Sequence, residues 1–174
     1  SDNNDALVLS PIGNQSVAEL ATLTFTATAS DDDPAASLTF SLVDAPAGAA
    51  ITPAGDFSWT PSEAQGPAST TFKVKVCDNA IPAACDEETI TVTVSEVNTA
   101  PTLAPVEDQN VAESTLVSFA ASAADADLPA NTLTFSLVGA PEGAAVSPAG
   151  AFTWTPTEAQ GPGEFSFTVK VCDD

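Results

Sequence analysis

The second half of this 174-residue chain repeats the first, so whatever fold it adopts must be built twice. Leu38-Thr39-Phe40-Ser41-Leu42-Val43 returns 95 positions later as Leu133-Thr134-Phe135-Ser136-Leu137-Val138. Phe57-Ser58-Trp59-Thr60-Pro61 returns as Phe152-Thr153-Trp154-Thr155-Pro156, and Glu63-Ala64-Gln65-Gly66-Pro67 as Glu158-Ala159-Gln160-Gly161-Pro162. Between residues 34–79 and 129–174, 31 of 46 positions are identical. Upstream the spacing is 94, as from Val17-Ala18-Glu19 to Val111-Ala112-Glu113, and one extra residue in an acidic loop, Leu128, accounts for the change. Two tandem domains follow, over residues 1–99 and 100–174.

Each copy reads as all-β. Apolar and polar residues alternate with period two in Leu23/Phe25/Ala27, Leu38/Phe40/Leu42, Phe72/Val74/Val76 and Ile90/Val92/Val94, with Thr and Ser mostly filling the outward positions. Pro-Ala-Gly at 53–55 and 148–150 and Gln-Gly-Pro at 65–67 and 160–162 mark turns. About seven short strands in about 95 residues describe a β-sandwich. Trp59 and Trp154 keep phase with Phe57 and Phe152, which places both indoles in the core rather than on a ligand-stacking surface. Within the given sequence the second copy is expected to be without its last strand, because the mate of residues 90–94 would fall near position 185. A segment of a longer array is the expected context; donation of the strand by a neighbouring chain is the alternative.

Charge narrows the function. With 24 Asp and Glu, three Lys or Arg and no His, the formal net charge is −21. Phosphate binding needs clustered cations, so nucleic acid is excluded as a direct partner and an anionic membrane surface is disfavoured. The absence of His removes the commonest general base and the Ser-His-Asp triad. No apolar run is long enough to span a membrane. The chain starts at Ser1 without a basic and apolar leader, so any signal peptide is expected to be removed or to lie further upstream. A catalytic role is not expected.

Cys77 and Cys85 flank a hairpin-sized loop, and a disulfide between them would staple the last hairpin. Cys172 is the repeat mate of Cys77, and its own partner would fall near position 180. Three buried free thiols are the competing reading. A disulfide in an acidic β-protein points to an oxidising, extracellular location.

The carboxylates collect in loops and at domain ends: Glu19, Asp31 with Asp33, Asp78, Glu96, Asp125 with Asp127, and Asp173. Each alone fits a solvated loop residue. Together they crowd negative charge at the domain junction, which a hard divalent cation would relieve. Calcium accepts six to eight oxygen ligands without strict geometry, whereas zinc and copper sites favour His and Cys.

This arrangement resembles the cadherin superfamily, particularly the dystroglycan-type cadherin-like and immunoglobulin-like repeats of bacterial surface proteins. The resemblance rests on an early Glu, an Asp-x-Asp loop before the Leu-Thr-Phe-Ser strand, an Asp after the Phe–Val–Val strand, and Ser95-Glu96-Val97-Asn98-Thr99-Ala100-Pro101 as a degenerate linker. It implies two tandem immunoglobulin/cadherin-like Greek-key β-sandwiches. It also implies calcium at the junction, held by Glu19 and Glu63 of the first domain, Glu96 and Asn98 of the linker, and Asp125, Asp127 and Asp173 of the second. Asp2, Asn4, Asp31, Asp33 and Asp78 form the equivalent N-terminal set. Glu113 and Glu158 are expected to hold no ion. Glu96 and Thr99 depart from the linker's usual Asp residues, and Trp-Thr-Pro-Ser-Glu replaces its acidic turn, leaving Glu63 there; fewer or weaker ions are implied.

The expected function is a non-catalytic, calcium-stiffened spacer or adhesion segment of a large secreted or cell-surface protein. Its partners would be neighbouring repeats, with other surface proteins or polysaccharide as further ones. The alternatives are a carbohydrate-binding accessory module of a secreted polysaccharide-degrading enzyme and a filament subunit completed by a donated strand. A glycosidase using paired carboxylates is disfavoured, because acids in loops do not make a cleft.

Overall fold

A computed structural model describes residues 7–33 and 35–174. Contacts divide the chain into two compact units, 1–97 and 98–174. The division falls two residues before the expected boundary because Asn98 and Thr99 hydrogen-bond to Asp173 and Asp127 of the second unit.

The first unit contains β1 (Val8–Leu9), β2 (Gln15–Ala18), β3 (Leu23–Thr26), β4 (Ala29–Ser30), β5 (Thr39–Val43), β6 (Ala50–Ile51), β7 (Asp56–Trp59), β8 (Ala68–Cys77) and β9 (Cys85–Ser95). One sheet runs β2-β9-β8-β5 and the other β3-β7-β6, with β1 paired to β4. β8 and β9 form the long antiparallel hairpin, and β2 lies parallel on the outer edge of β9. Alternation decides which side chains go inside. Phe72, Val74 and Val76 of β8 and Ile90, Val92 and Val94 of β9 are at most 2% exposed, each contributing about 1.5–3 kcal/mol by burial. Phe57 stacks between Phe25 and Phe72, with ring centroids 4.4 and 5.6 Å away. Trp59 closes the core beside them at 1% exposure, and its indole N–H donates to the Ala47 carbonyl at 3.2 Å.

Cys77 and Cys85 face each other across the hairpin and are joined by a disulfide, while Cys172 is a free thiol. Two acids on the inward side of β9 have a structural task. Asp86 accepts the Leu9 amide at 2.8 Å, and Glu88 accepts the amides of Ile12 and Gly13 at 2.7 and 2.9 Å. These bonds fasten the N-terminal segment to the end of β9 and satisfy three of its backbone amides.

The second unit contains β10 (Thr102–Leu103), β11 (Val117–Ala120), β12 (Ala123–Ala124), β13 (Thr134–Val138), β14 (Ala145–Val146), β15 (Ala151–Trp154) and β16 (Thr168–Cys172). Its sheets are β11-β15-β14, β13-β16 and the short pair β10-β12. Phe119, Phe152 and Phe167 repeat the aromatic stack at 4.5 and 5.4 Å, and the Trp154 indole donates to the Glu142 carbonyl. Residues 109–112, the mates of β2, form no strand. β2 depends on β9 for its ladder, and the second unit has no counterpart of β9 among the described residues.

Candidate cation site

The first unit assembles its carboxylates at the end of β2. Glu19 follows that strand in a tight turn closed by Ala21 N–H to Ala18 O at 3.2 Å, with Leu20 N–H bonded to Pro61 O. Leu20 has φ of 60°, a left-handed conformation that costs a non-glycine residue about 1–2 kcal/mol. The second unit repeats the turn with Ser114 at φ 58°.

Held by this turn and covered by the end of β9, Glu19 is 1% exposed. Its Oε1 accepts the Val97 amide at 3.0 Å, while its Oε2 is buried with no hydrogen-bond partner among the described residues. Gly66 makes room for that oxygen: a Cβ there would lie 2.5 Å from Glu19 Oε2 and 2.9 Å from Val94 Cγ1.

Two more carboxylates reach the same place. Glu63 opens the 3₁₀ turn Glu63–Gln65, which is fixed by the Gln65 side chain accepting from Ser62 N–H and donating to Ala47 O. Glu96 follows β9 directly. Glu19, Glu63 and Glu96 each offer an oxygen, and these oxygens lie within 4.8 Å of one another. Opposite ligands of a calcium ion stand about 4.6–5.2 Å apart, so one ion's oxygen shell spans the group. At an effective dielectric of 20, carboxylates at that separation repel by about 3.5 kcal/mol per pair. A buried anionic oxygen with no donor, in an all-oxygen set, fits a hard cation.

The second unit organises a different set. Asp127, 2% exposed, accepts the Thr99 amide at 2.8 Å and the Asn131 side-chain amide at 3.3 Å through Oδ2. Its Oδ1 is buried without a partner among the described residues. The Asp127 N–H donates to Asp125 Oδ1 at 2.9 Å, an Asx turn that leaves Asp125 Oδ2 also buried and unpartnered. Asn98 donates to Asp173 Oδ2 at 3.2 Å and accepts from Asn131 at 2.9 Å. Asn98, Asp127, Asn131 and Asp173 therefore belong to one network.

The first unit has the same loop: Asp33 N–H donates to Asp31 Oδ1 at 2.8 Å, and Asp31 Oδ2 is buried without a partner among the described residues. Asp33 is exposed. Asp78 Oδ1 accepts the amides of Ala80 and Ala84, so this acid also shapes the hairpin loop. Asp2 and Asn4 lie outside the described residues.

Glu113 and Glu158 are both exposed. Glu19 differs from its mate Glu113 because Ser95 and Val97, at the end of β9, clasp it. Elsewhere Lys73 pairs with Glu87 across the hairpin; the hydrogen bond first, and the charge of Glu87 second, raise its pKa.

Two participants were not read from the sequence. Asn131 bridges Asp127 and Asn98, but its mate in the first copy is Ala36, so the repeat gives no signal for it. Gly66 carries one, since Gln-Gly-Pro recurs, but it reads only as a turn.

A family model described as bacterial Ig domain matches residues 4–94 and again 98–174. The chain belongs to the bacterial Ig domain family. Among curated proteins none matches it. Among solved structures, this pair of bacterial Ig domains is similar to human CDH23 EC21-23, with 18% identity and a TM-score of 0.61 over 97% of the chain. It is similar to mouse cadherin-23 EC22-24, with 19% identity and a TM-score of 0.60 over 96%. The chain spans 63% and 64% of those two structures. At these identities the likeness concerns the fold: tandem all-β sandwiches of the cadherin and immunoglobulin kind.

Proposed function

We propose that the chain is a calcium-binding, non-catalytic repeat segment of a larger extracellular protein, acting as a stiff spacer or adhesion rod. The observation that carries this reading is Glu19 Oε2, an anionic oxygen buried without a donor among the described residues, grouped with oxygens of Glu63 and Glu96. Calcium would be held there by the three glutamates. A second ion would be held by Asp125, Asp127, Asp173 and Asn98, and an N-terminal one by Asp31, Asp33 and Asp78 with Asp2 and Asn4. The ion supplies positive charge that turns mutual repulsion into cross-linking. The residues contribute preorganisation: the Leu20 turn aims Glu19, and the Asx turn aims Asp125.

Glu96 and Asn98 stand two positions apart on either side of the division between the units, so ions in the two sets would restrain the linker. The extracellular assignment is supported by the disulfide, by the family, and by the tandem arrangement. Among the described residues no helix is long and apolar enough to cross a membrane. Burial of Trp59 and Trp154 speaks against sugar stacking by these rings. Thermal melting in chelator and then in restored calcium tests the proposal. Melting temperature should fall and recover; an unchanged melt at about 10 mM calcium, well above the 10⁻⁴–10⁻³ M typical of extracellular modules, would refute it.

A further inference from the structure

We propose that Gln65 is the positioning residue of the cation site: it ties the turn that carries Glu63 to the core, and so sets how tightly the three glutamates hold an ion. The inference rests on the cation reading above and goes beyond it, because Gln65 would act without touching the ion. Glu63–Gln65 is a single 3₁₀ turn with no buried residue. Its backbone bonds are few: Gln65 N–H to Ser62 O at 2.8 Å, and Gly66 N–H to Glu63 O at 3.4 Å. The Gln65 side chain supplies the rest. Its Oε1 accepts from Ser62 N–H at 2.9 Å and from Ser62 Oγ at 3.2 Å, and its Nε2 donates to the Ala47 carbonyl at 3.1 Å. That carbonyl also accepts the indole N–H of the fully buried Trp59, so the clamp runs from the turn through Ala47 to the core.

The clamped segment is also the one that meets Glu19. Pro61, just before Ser62, accepts the Leu20 amide at 2.8 Å, which fixes the Glu19 turn to it. Gly66, just after Gln65, passes so close that an added Cβ would lie 2.5 Å from Glu19 Oε2. The repeat separates the structural part of this role from the rest. Gln160 accepts the Thr157 amide at 2.8 Å and donates at 3.1 Å to Glu142 O, which also takes the Trp154 indole. Glu158 on that turn is exposed and belongs to no group of three carboxylates among the described residues. Gln160 therefore holds a turn, whereas Gln65 holds a turn that carries a ligand. With the clamp, Glu63 is ordered before an ion arrives. Without it, the apparent dissociation constant rises by the inverse of the fraction of chains in which the turn is correctly placed. Loss of a residue that orients a metal ligand typically weakens binding about 10–100-fold; Gln65 acts through the backbone, which sets the expectation at about tenfold.

The test measures calcium binding by equilibrium dialysis in the full chain and three variants. Gln65→Met keeps the side chain's length and removes its donor and acceptor, Gln160→Met does the same in the second unit, and Glu19→Gln identifies the binding step that belongs to the three glutamates. The dissociation constant of that step should rise about tenfold in Gln65→Met at unchanged stoichiometry, and stay within about twofold of the parent in Gln160→Met. Both variants lose equivalent hydrogen bonds and should melt below the parent in chelator, so a purely structural role predicts no such difference in calcium affinity. In the parent, the Gln65 and Gly66 amides should be protected from hydrogen exchange in chelator as well as in calcium, a measurement that needs no variant to fold. A dissociation constant unchanged in Gln65→Met, one raised equally in both Met variants, or amides protected only in calcium would overturn the proposal and leave the cation reading standing. A parent with no binding step sensitive to Glu19→Gln would end the cation reading, and this proposal with it.

Discussion

Replacing Glu19 by Gln keeps the side chain's shape and removes its charge, which distinguishes a cation ligand from a structural hydrogen-bond acceptor. Glu19 takes part in two of the three pairs within the 4.8 Å group. At about 3.5 kcal/mol per pair, removing both relieves up to about 7 kcal/mol of repulsion. Solvent screening lowers that figure, since Glu63 and Glu96 are only half-buried. Against it stands the bond from the Val97 amide, which weakens by about 1 kcal/mol when its acceptor becomes neutral. In chelator, the Glu19→Gln chain should therefore be at least as stable as the parent. In about 10 mM calcium the parent should gain about 1.4–2.7 kcal/mol for a dissociation constant of 10⁻⁴–10⁻³ M. At about 4–8 °C per kcal/mol for a domain of this size, the shift is readily measured, and the variant should lose most of it. Urea denaturation and calorimetry of both full chains, in chelator and in calcium, give the four numbers required. A variant that is less stable in chelator yet keeps the parent's calcium increment would refute the reasoning, leaving Glu19 as a hydrogen-bond acceptor only.

Gly66→Ala places a methyl group 2.5 Å from Glu19 Oε2, so it should cost about 1–3 kcal/mol and weaken calcium binding together; denaturation curves with full stability retained would contradict the close approach. Glu88→Ala removes the acceptor for the Ile12 and Gly13 amides and should cost about 1–3 kcal/mol equally with and without calcium, whereas a calcium-dependent loss would make it part of a cation site. Reducing the Cys77–Cys85 disulfide reopens a loop of sequence separation 8, and by loop-closure entropy should lower stability by about 2.5 kcal/mol; an unchanged melt in reductant would count against it.

Much of the fold is legible because the repeat and the strand period agree. Phe72/Val74/Val76 and Ile90/Val92/Val94 alternate cleanly and all point inward, and Trp59 and Trp154 lie in the core as their phase with Phe57 and Phe152 requires. Where a residue's role depends on a partner far along the chain, the local pattern is silent. Asp86 and Glu88 keep inward phase with Ile90, a position where carboxylates look misplaced until the N-terminal amides they accept are located. The family pattern names the acidic positions and assigns them to sets, but it does not say which of their oxygens meet or how the backbone brings them there. Glu19, Glu63 and Glu96 converge because a left-handed turn, a 3₁₀ turn and a strand end meet at one place. Asp127 and Asp173 are tied together through Asn98 and Asn131, and Asn131 has no counterpart in the first copy. Glu19 and Glu113 occupy matching positions, yet one is buried and the other exposed, because burial comes from β9 rather than from the turn itself.

Equilibrium dialysis with radiolabelled calcium tests the central claim most directly. A chain of net charge −21 attracts cations diffusely, so the measurement belongs at about 0.15 M salt, where charges beyond about 8 Å are screened. The account predicts saturable binding with a dissociation constant of millimolar or below, at least one equivalent of which disappears in the Glu19→Gln chain. Calcium uptake that rises without saturation, or that is the same in the parent and the Glu19→Gln chain, would contradict it.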